Sequence, residues 1–236
     1  MRWLRSIVIF EQDNVLSTPD WAAIHESYVR SIGSIEFPVG SGALTLRRKL
    51  RRPDGQWERN GVGYLKKSFL RHMTEVEGWA PEVNFDLEQN RAPSILRQYP
   101  GLQPYQEPIT SEFGGFDFVT TGPSGVHVAI EWETGNISSS HRSMNKLAIA
   151  LIAGSIDVGV LIVPSRALYE HLTDRIGNIG ELSGYLTMWK DLEPRVQRGA
   201  LIISVVEHDA LTNDDEHPYL GSGNDGRAVQ GRARRR

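Results

Sequence analysis

Hydrophobic residues recur at helical spacing in two segments of the N-terminal third of the chain. The first segment follows Thr18-Pro19-Asp20, where a capping residue precedes a proline and an acid of the first turn, and it predicts a helix. The second segment predicts a helix from Tyr64 to Val76. Between them, Pro53-Asp54-Gly55 indicates a tight turn that joins two arms, residues 47–52 and 56–60.

The pattern changes to strand-like runs in the second half of the chain. Residues 116–120 and 126–133 flank Gly122-Pro123-Ser124-Gly125, and this arrangement predicts a β-hairpin. Continuous apolar runs at residues 158–163 and 201–206 are typical of strands that are buried on both faces. Helices are predicted around these strands, from about Ser140 to Ala153, from Ser165 to about Thr173 and from Asn178 to Trp189.

Strands that alternate with helices in this way predict a layered α/β or α+β domain. No linker rich in proline, serine and glycine divides the apolar segments, so a single domain is expected over residues 1–206. Residues 207–236 are polar and rich in glycine, and they are expected to form a partly flexible C-terminal tail.

Composition narrows the class of protein only moderately. Hydrophobic residues make up 39% and charged residues 23% of the chain, which is typical of a globular protein. No apolar run reaches the length of a bilayer span, and the N-terminus is too short and too acidic for a signal peptide, so a cytoplasmic location is expected. The chain has no cysteine, so any metal ion must be bound by carboxylates, histidines or carbonyls.

Positive charge is local, because the net charge of the whole chain is −3. It is concentrated in two blocks, of which the first lies at residues 47–52 and the second at residues 232–236. Blocks of this kind are typical of a solvated surface or tail, and contact with nucleic acid is the alternative. Charge alone therefore does not assign a partner.

Three acidic residues are expected to meet at the predicted hairpin. Asp117 lies on its first arm, and Glu131 and Glu133 lie on its second arm. Positions i and i+2 share one face of a strand, so both glutamates point the same way while Trp132 points into the core. Three like charges repel at close range unless a cation lies between them, and Mg²⁺ prefers carboxylate oxygens. The pattern indicates a magnesium site for phosphodiester hydrolysis, or alternatively a solvated sheet face.

The residues that follow these acids resemble a known family. The segment EWETGNISSSHRSMNKL, from Glu131 to Leu147, is similar to the core of the BamHI-like type II restriction endonucleases. The similarity extends over roughly residues 61–226, and it includes Gly114-Gly115-Phe116-Asp117 and Gly223-Asn224-Asp225-Gly226. This family is a variant of the PD-(D/E)xK nucleases in which glutamate replaces the usual lysine. The resemblance implies a central mixed β-sheet flanked by helices on both sides.

The resemblance also implies a role for each acid. Asp117 and Glu131 would be metal ligands, and Glu133 would stand at the lysine position as the general base. Glu82 would be a further metal ligand, or alternatively an ordinary exposed acid of a loop. Because glutamate replaces the usual cation, the site is expected to lack a positive charge of its own and to bind two Mg²⁺ ions. For Lys146, in the following helix, a structural or phosphate-contact role is expected.

Base recognition in the major groove is a further implication of the resemblance. Arginine pairs with guanine, asparagine with adenine and aspartate with cytosine, so the matching residues would read GGATCC. The residues implied are Asn136, Ser138, Arg142, Asp174 and Arg175, with Asp225 and Gly226 near the minor groove. Helix capping by Asn136 and Ser138 and a surface ion pair between Asp174 and Arg175 are the alternatives.

A palindromic site requires two-fold symmetry, so a homodimer that cuts both strands of double-stranded DNA is expected. The resemblance also implies a cognate DNA methyltransferase in the same host. A membrane is not expected as a partner. Two other functions stay open at this stage. One is sequence-specific DNA binding without catalysis, and the other is a nuclease of the same fold with a different target site.

Overall fold

The computed structural model of the chain describes residues 1–81, 115–173 and 176–221. The strands of its central sheet are β1 (Arg2–Gln12), β5 (Phe118–Thr121), β6 (His127–Trp132), β7 (Val158–Pro164) and β8 (Gly199–Glu207). Their order across the sheet is β1-β8-β7-β6-β5. Strands β6, β7 and β8 run parallel to one another, and the two outer strands run antiparallel to their neighbours. The sheet is therefore mixed.

Two pairs of short strands lie outside the central sheet. Strand β2 (Thr45–Arg47) pairs in parallel with β9 (Ala210–Thr212), and β3 (Leu50–Arg51) pairs antiparallel with β4 (Trp57–Glu58). The predicted turn at Pro53-Asp54-Gly55 joins β3 to β4, and Gly55 adopts the left-handed φ of 82° that glycine favours. The hairpin is confirmed, but its strands are shorter than the predicted arms, and Arg47 pairs with β9 instead.

Helices cover both faces of the central sheet. The longer ones are α1 (Pro19–Gly33), α2 (Gly63–Glu75) and α3 (Ile137–Ile152), and the short ones are α4 (Arg166–Tyr169), α5 (Ile179–Leu182) and α6 (Leu186–Lys190). Thr18 caps α1 by accepting a hydrogen bond from the Trp21 amide at 3.3 Å, as its position in the sequence predicts. Among the described helices, none combines the length and the hydrophobicity that a bilayer crossing needs.

The apolar core is divided by the sheet into two layers. On one face, Ile24 and Tyr28 of α1 and Phe69 of α2 pack against the sheet. On the other face, Leu147 of α3 and Trp189 of α6 pack against it. The predicted fold class, an α/β domain whose mixed sheet has helices on both sides, is confirmed.

Three local features differ from the sequence-based expectation. The helix predicted from Ser165 to about Thr173 ends at Tyr169, because the chain then extends and Leu172 pairs with Asn60. The helix capped by Asn178 is divided into α5 and α6 by a tighter turn at Ser183–Tyr185. Strand β1 was not predicted, although an apolar run marks its centre.

Ordered contacts also continue past residue 206, where the expected domain ends. Strand β9 pairs with β2, and the Asp209 carboxylate lies 2.5 Å from the amino group of Met1. Leu220 is buried in the same apolar cluster as α1 and α2. Residues 207–221 therefore pack against the N-terminal part of the chain.

Candidate active site

Two acids meet where the antiparallel ladder of β5 and β6 ends. Phe118 pairs with Ile130, and continuing this register by one residue places Asp117 opposite Glu131. The Asp117 carboxylate accepts a hydrogen bond from the Trp132 amide at 2.8 Å. This bond fixes the carboxylate of Asp117 at the carboxyl end of β6.

Glu131 and Glu133 share one face of β6, as strand alternation predicts. Their exposed fractions are only 6% and 5%, which rules out a solvated sheet face for these two glutamates. Trp132 points to the opposite face, where its ring lies 5.0 Å from the ring of Phe69. The Glu133 amide donates to the Ile162 carbonyl at 3.0 Å, so β7 also holds this end of β6.

Two lysines enter the site from neighbouring helices. Lys66 of α2 places its ammonium nitrogen 2.6 Å from a carboxylate oxygen of Asp117. Lys146 of α3 forms an ion pair with Glu131 and donates to the Gly115 carbonyl at 2.9 Å. Its ammonium group also lies 4.7 Å from the centre of the Phe116 ring. The expectation of a site without a positive charge of its own is therefore wrong.

The lysines reach the acids through the packing of whole helices. Lys146 lies on the side of α3 that faces the sheet, beside Leu147, and it is buried like its neighbours. A buried ammonium group needs a charged partner, and Glu131 provides it. The sequence offered Lys146 as a candidate with a structural or phosphate-contact role, but it gave no signal for Lys66.

Burial changes the protonation of both glutamates. Burial and the nearby charge of Asp117 raise the pKa of Glu131 to about 7, although Lys146 lowers it in part. Burial also raises the pKa of Glu133, and a hydrogen bond from the Gly135 amide lowers it in part. A carboxylate with a raised pKa is the stronger proton acceptor once it is ionised, which is the property a general base requires.

A glycine is required where the chain passes from β6 into α3. The Gly135 amide donates to a Glu133 carboxylate oxygen at 2.5 Å. A Cβ atom at Gly135 would lie 2.5 Å from the Ser139 hydroxyl oxygen and 3.2 Å from that carboxylate oxygen. The absence of a side chain therefore allows α3 to begin immediately beside the acids.

Three of the residues implied in base recognition lie together at the start of α3. Asn136, Ser138 and Arg142 are all exposed. Asn136 caps the helix, because its side-chain oxygen accepts from the amides of Ser138 at 3.0 Å and Ser139 at 3.3 Å. The capping alternative is thus confirmed for Asn136, while Ser138 contributes its backbone amide and keeps its side chain exposed.

The chain returns to this end of α3 at residues 176–177. Asn136 forms an isolated β-bridge with Ile176, and the Gly177 amide donates to the Gly135 carbonyl at 3.2 Å. Residues 176–177, which directly follow Asp174 and Arg175 in the sequence, therefore lie beside the start of α3. Asp174 and Arg175 themselves lie outside the described residues, as do Glu82, Asp225 and Gly226.

The donor groups of the site suit a hard divalent cation. Within the described parts of the chain, no three His, Asp or Glu side chains are grouped closely enough to hold a metal ion. Asp117 and Glu131 do form a pair of interacting carboxylates, and the third expected ligand, Glu82, lies outside those parts. Because Mg²⁺ binds through one or two carboxylates and keeps several waters, these residues fit it.

Comparison with known proteins identifies the family. The profile of the family described as "Restriction endonuclease BamHI" matches residues 1–227, almost the whole chain. The chain belongs to the BamHI family of type II restriction endonucleases. It is 36% identical to the type II restriction enzyme OkrAI of Oceanobacter kriegii over 214 residues, which cover 91% of this chain and 93% of that protein.

A second relative in the BamHI family matches over a shorter stretch. The type II restriction enzyme BamHI of Bacillus amyloliquefaciens is 49% identical over 61 residues, which cover 26% of this chain and 29% of that enzyme. Membership of the family assigns the chain to the DNA-binding hydrolases that act as site-specific deoxyribonucleases in restriction systems. The resemblance seen in the sequence is thereby confirmed.

Proposed function

We propose that this chain is a homodimeric, Mg²⁺-dependent endonuclease that hydrolyses one phosphodiester bond in each strand of GGATCC. The positions of the three acids give the main support for this proposal. Asp117 lies opposite Glu131 in the strand register, and the buried Glu133 follows on the same face of β6, directly before α3. This arrangement brings acids for phosphate chemistry next to exposed side chains that suit the reading of bases.

The acids divide the chemistry between them. Asp117 and Glu131, with Glu82 as a third ligand, would hold Mg²⁺, expected as two ions per site. The bound metal supplies charge stabilisation to the phosphate and makes a water more acidic. Glu133 accepts the proton of the attacking water, the bond between phosphorus and the leaving oxygen breaks, and that oxygen takes a proton from a second water.

The two lysines compensate the charge of the acids. Lys66 pairs with Asp117 and Lys146 pairs with Glu131, so each proposed metal ligand has a cationic partner in the folded chain. A buried carboxylate without such a partner is costly, and it becomes protonated instead. The lysines therefore offset part of the negative charge of the two ligands and help to position them before DNA binds.

The hydrogen bonds of Asn136 limit how it can read a base. Its side-chain oxygen is used to cap α3, so its amide nitrogen is the group that faces outward as a donor. A bidentate pair with adenine needs both atoms, whereas a single donor suits the N7 acceptor of either purine or the O6 acceptor of guanine. We expect Asn136 to donate to a base acceptor, while Arg142, Asp174 and Arg175 provide the other base contacts.

The palindromic site supports the remaining parts of the proposal. Two copies of the chain related by a two-fold axis would place one active site on each strand. A cognate methyltransferase would protect the same site in the host genome.

Alanine substitution of the proposed ligands tests this function. Asp117→Ala and Glu131→Ala are each expected to abolish cleavage of a duplex that contains GGATCC, while binding to that duplex is retained. Glu26→Ala is the matched control, because Glu26 is an exposed acid of α1 on the other face of the sheet. Full cleavage by either active-site variant would reject the assignment of metal ligands.

A further inference from the structure

The hairpin of β3 and β4 carries an unusual concentration of positive charge. The segment from Arg48 to Arg59, called here the basic hairpin, contains five cationic residues and two acidic ones, which gives a net charge of +3. The whole chain has a net charge of −3. Residues 50–57 of the basic hairpin are all exposed. A cationic loop on an acidic protein needs an explanation beyond solubility.

The cations of the basic hairpin are arranged around an exposed tryptophan. Half of the Trp57 surface is exposed. The Lys49 ammonium lies 5.7 Å and the Arg59 guanidinium 5.6 Å from the centre of its ring, distances at which cation–π attraction acts. Arg48 and Arg51 are exposed and form no ion pair with any residue that the structure describes. These two arginines are available to a partner.

Backbone hydrogen bonds fix the base of the hairpin to the start of the segment from His171 to Gly177, called here the recognition segment because it includes Asp174 and Arg175. The Asn60 amide donates to the His171 carbonyl at 2.8 Å, and the Thr173 amide donates to the Asn60 carbonyl at 2.8 Å. The Lys49 amide also donates to the His171 ring at 3.2 Å. The basic hairpin is therefore attached to the residues that directly precede Asp174.

The Asn60 side chain extends this connection to the C-terminal segment. Its nitrogen donates to the Arg47 carbonyl at 2.8 Å, and its oxygen accepts from the Leu220 amide at 3.2 Å. The Gly61 amide donates to the Leu220 carbonyl at 2.8 Å. Residues 222–236, which include Asp225 and Gly226, follow directly after this point. Asn60, at the base of the basic hairpin, thus contacts both Thr173, which precedes Asp174, and Leu220, which lies before Asp225 in the sequence.

We infer that the basic hairpin binds the phosphate backbone of duplex DNA outside the recognition site. This inference rests on the proposed function, which places the recognition site beside residues 174–175. Arginine and lysine neutralise phosphates regardless of sequence, and each such contact makes binding more sensitive to salt. The hairpin is joined to residues 171–173, so its exposed arginines would reach the DNA that flanks the site.

Binding to duplexes of two lengths tests this inference. Both duplexes contain GGATCC, one barely longer than the site and one extended by about one helical turn, roughly 10 base pairs, on each side. Arg48→Ala/Arg51→Ala is compared with Arg195→Ala/Arg198→Ala, which removes two arginines at the opposite end of the parallel strands, before β8. Dissociation constants are measured by fluorescence anisotropy in EDTA at several salt concentrations.

On the long duplex, Arg48→Ala/Arg51→Ala is expected to bind about tenfold more weakly than the wild type. The salt slope, which is the slope of the logarithm of the binding constant against the logarithm of the salt concentration, should decrease in magnitude by roughly one for each phosphate contact removed. On the short duplex it should match the wild type, and the control should match the wild type on both. Arg48→Lys/Arg51→Lys should recover most of the salt slope. An unchanged slope on the long duplex, or an equal loss on both duplexes, would overturn the inference.

The same binding experiment would give a different result if the proposed function were wrong. The wild-type protein would then bind the short duplex no better than a duplex of scrambled sequence. The comparison on the long duplex is still informative in that case, because phosphate contacts do not depend on base sequence.

Discussion

Glu131 and Glu133 carry their carboxylates into a region almost closed to water, and most of the local chemistry follows from that burial. The ionised form of each acid needs a cation or a hydrogen-bond donor as a partner. The pKa values of both glutamates are raised because the partners only partly offset the effect of burial. Lys146 is the partner of Glu131, and the Gly135 amide is a partner of Glu133. The two glutamates should therefore respond differently to substitution.

Glu133→Gln should separate catalysis from folding. The amide cannot accept the proton of water, so we expect single-turnover cleavage to slow by about 100-fold or more. Thermal stability should not fall, because the substitution removes a carboxylate whose charge is disfavoured by burial. Cleavage within tenfold of the wild-type rate would show that another group acts as the base.

Lys146→Met should destabilise the metal-free protein in a pH-dependent way. The folded-state pKa of Glu131, about 7, lies above its ordinary value of 4.5, so this residue's favourable contribution to stability is lost as pH rises through 7. Without Lys146 that loss deepens, because the folded chain must then either bury an unpaired charge or hold Glu131 protonated at a pH where the unfolded chain releases the proton. We expect a cost of about 1 kcal/mol or less at pH 5 and about 3 kcal/mol at pH 8.

Denaturant unfolding of the wild type and Lys146→Met at both pH values measures this difference. The double variant Glu131→Gln/Lys146→Met is the control, since it removes the charge of both partners and should lose the pH dependence. A cost for Lys146→Met that is equal at pH 5 and pH 8 would contradict the role given to the ion pair.

At the scale of elements, the site depends on how β6, α3 and residues 176–177 fit together. The sequence predicted the hairpin in which Asp117 lies opposite Glu131, because strand alternation and a short turn are local rules. The catalytic roles of Asp117, Glu131 and Glu133 stay predictions. The sequence could not predict the pairing of Lys66 with Asp117, which depends on the approach of α2 to the sheet. The early end of α4 is equally non-local, because the pairing of Leu172 with Asn60 overrides helix propensity.

Gly177→Ala tests the contact between the recognition segment and α3. A Cβ atom at Gly177 would overlap the Ser140 hydroxyl and lie 3.0 Å from the Ser140 Cβ atom, so the segment must move away. We expect specific binding of GGATCC to weaken at least tenfold, with far less change in binding to unrelated DNA. Gly184→Ala is the control, because no atom lies within 4 Å of the position its Cβ would take. Equal affinities for the two variants would refute this placement.

At the scale of the whole molecule, the fold brings distant parts of the chain to one end of the sheet. Asp117 lies beside the end of β6, the start of α3 follows β6, and residues 176–177 return beside the start of α3. The fold class was predictable from the alternation of strands and helices. The contribution of β1 and the packing of residues 207–221 were not, because both depend on pairing between distant parts of the chain.

The cut ends of a plasmid digested by this protein would report the reaction, the target site and the position of cleavage together. A plasmid with one GGATCC site is incubated with the purified protein in Mg²⁺ and, separately, in EDTA. The account predicts a linear product only in Mg²⁺, with both strands cut within GGATCC and little nicked intermediate, as expected of a symmetric dimer. Cleavage that persists in EDTA, or ends that map elsewhere, would contradict it.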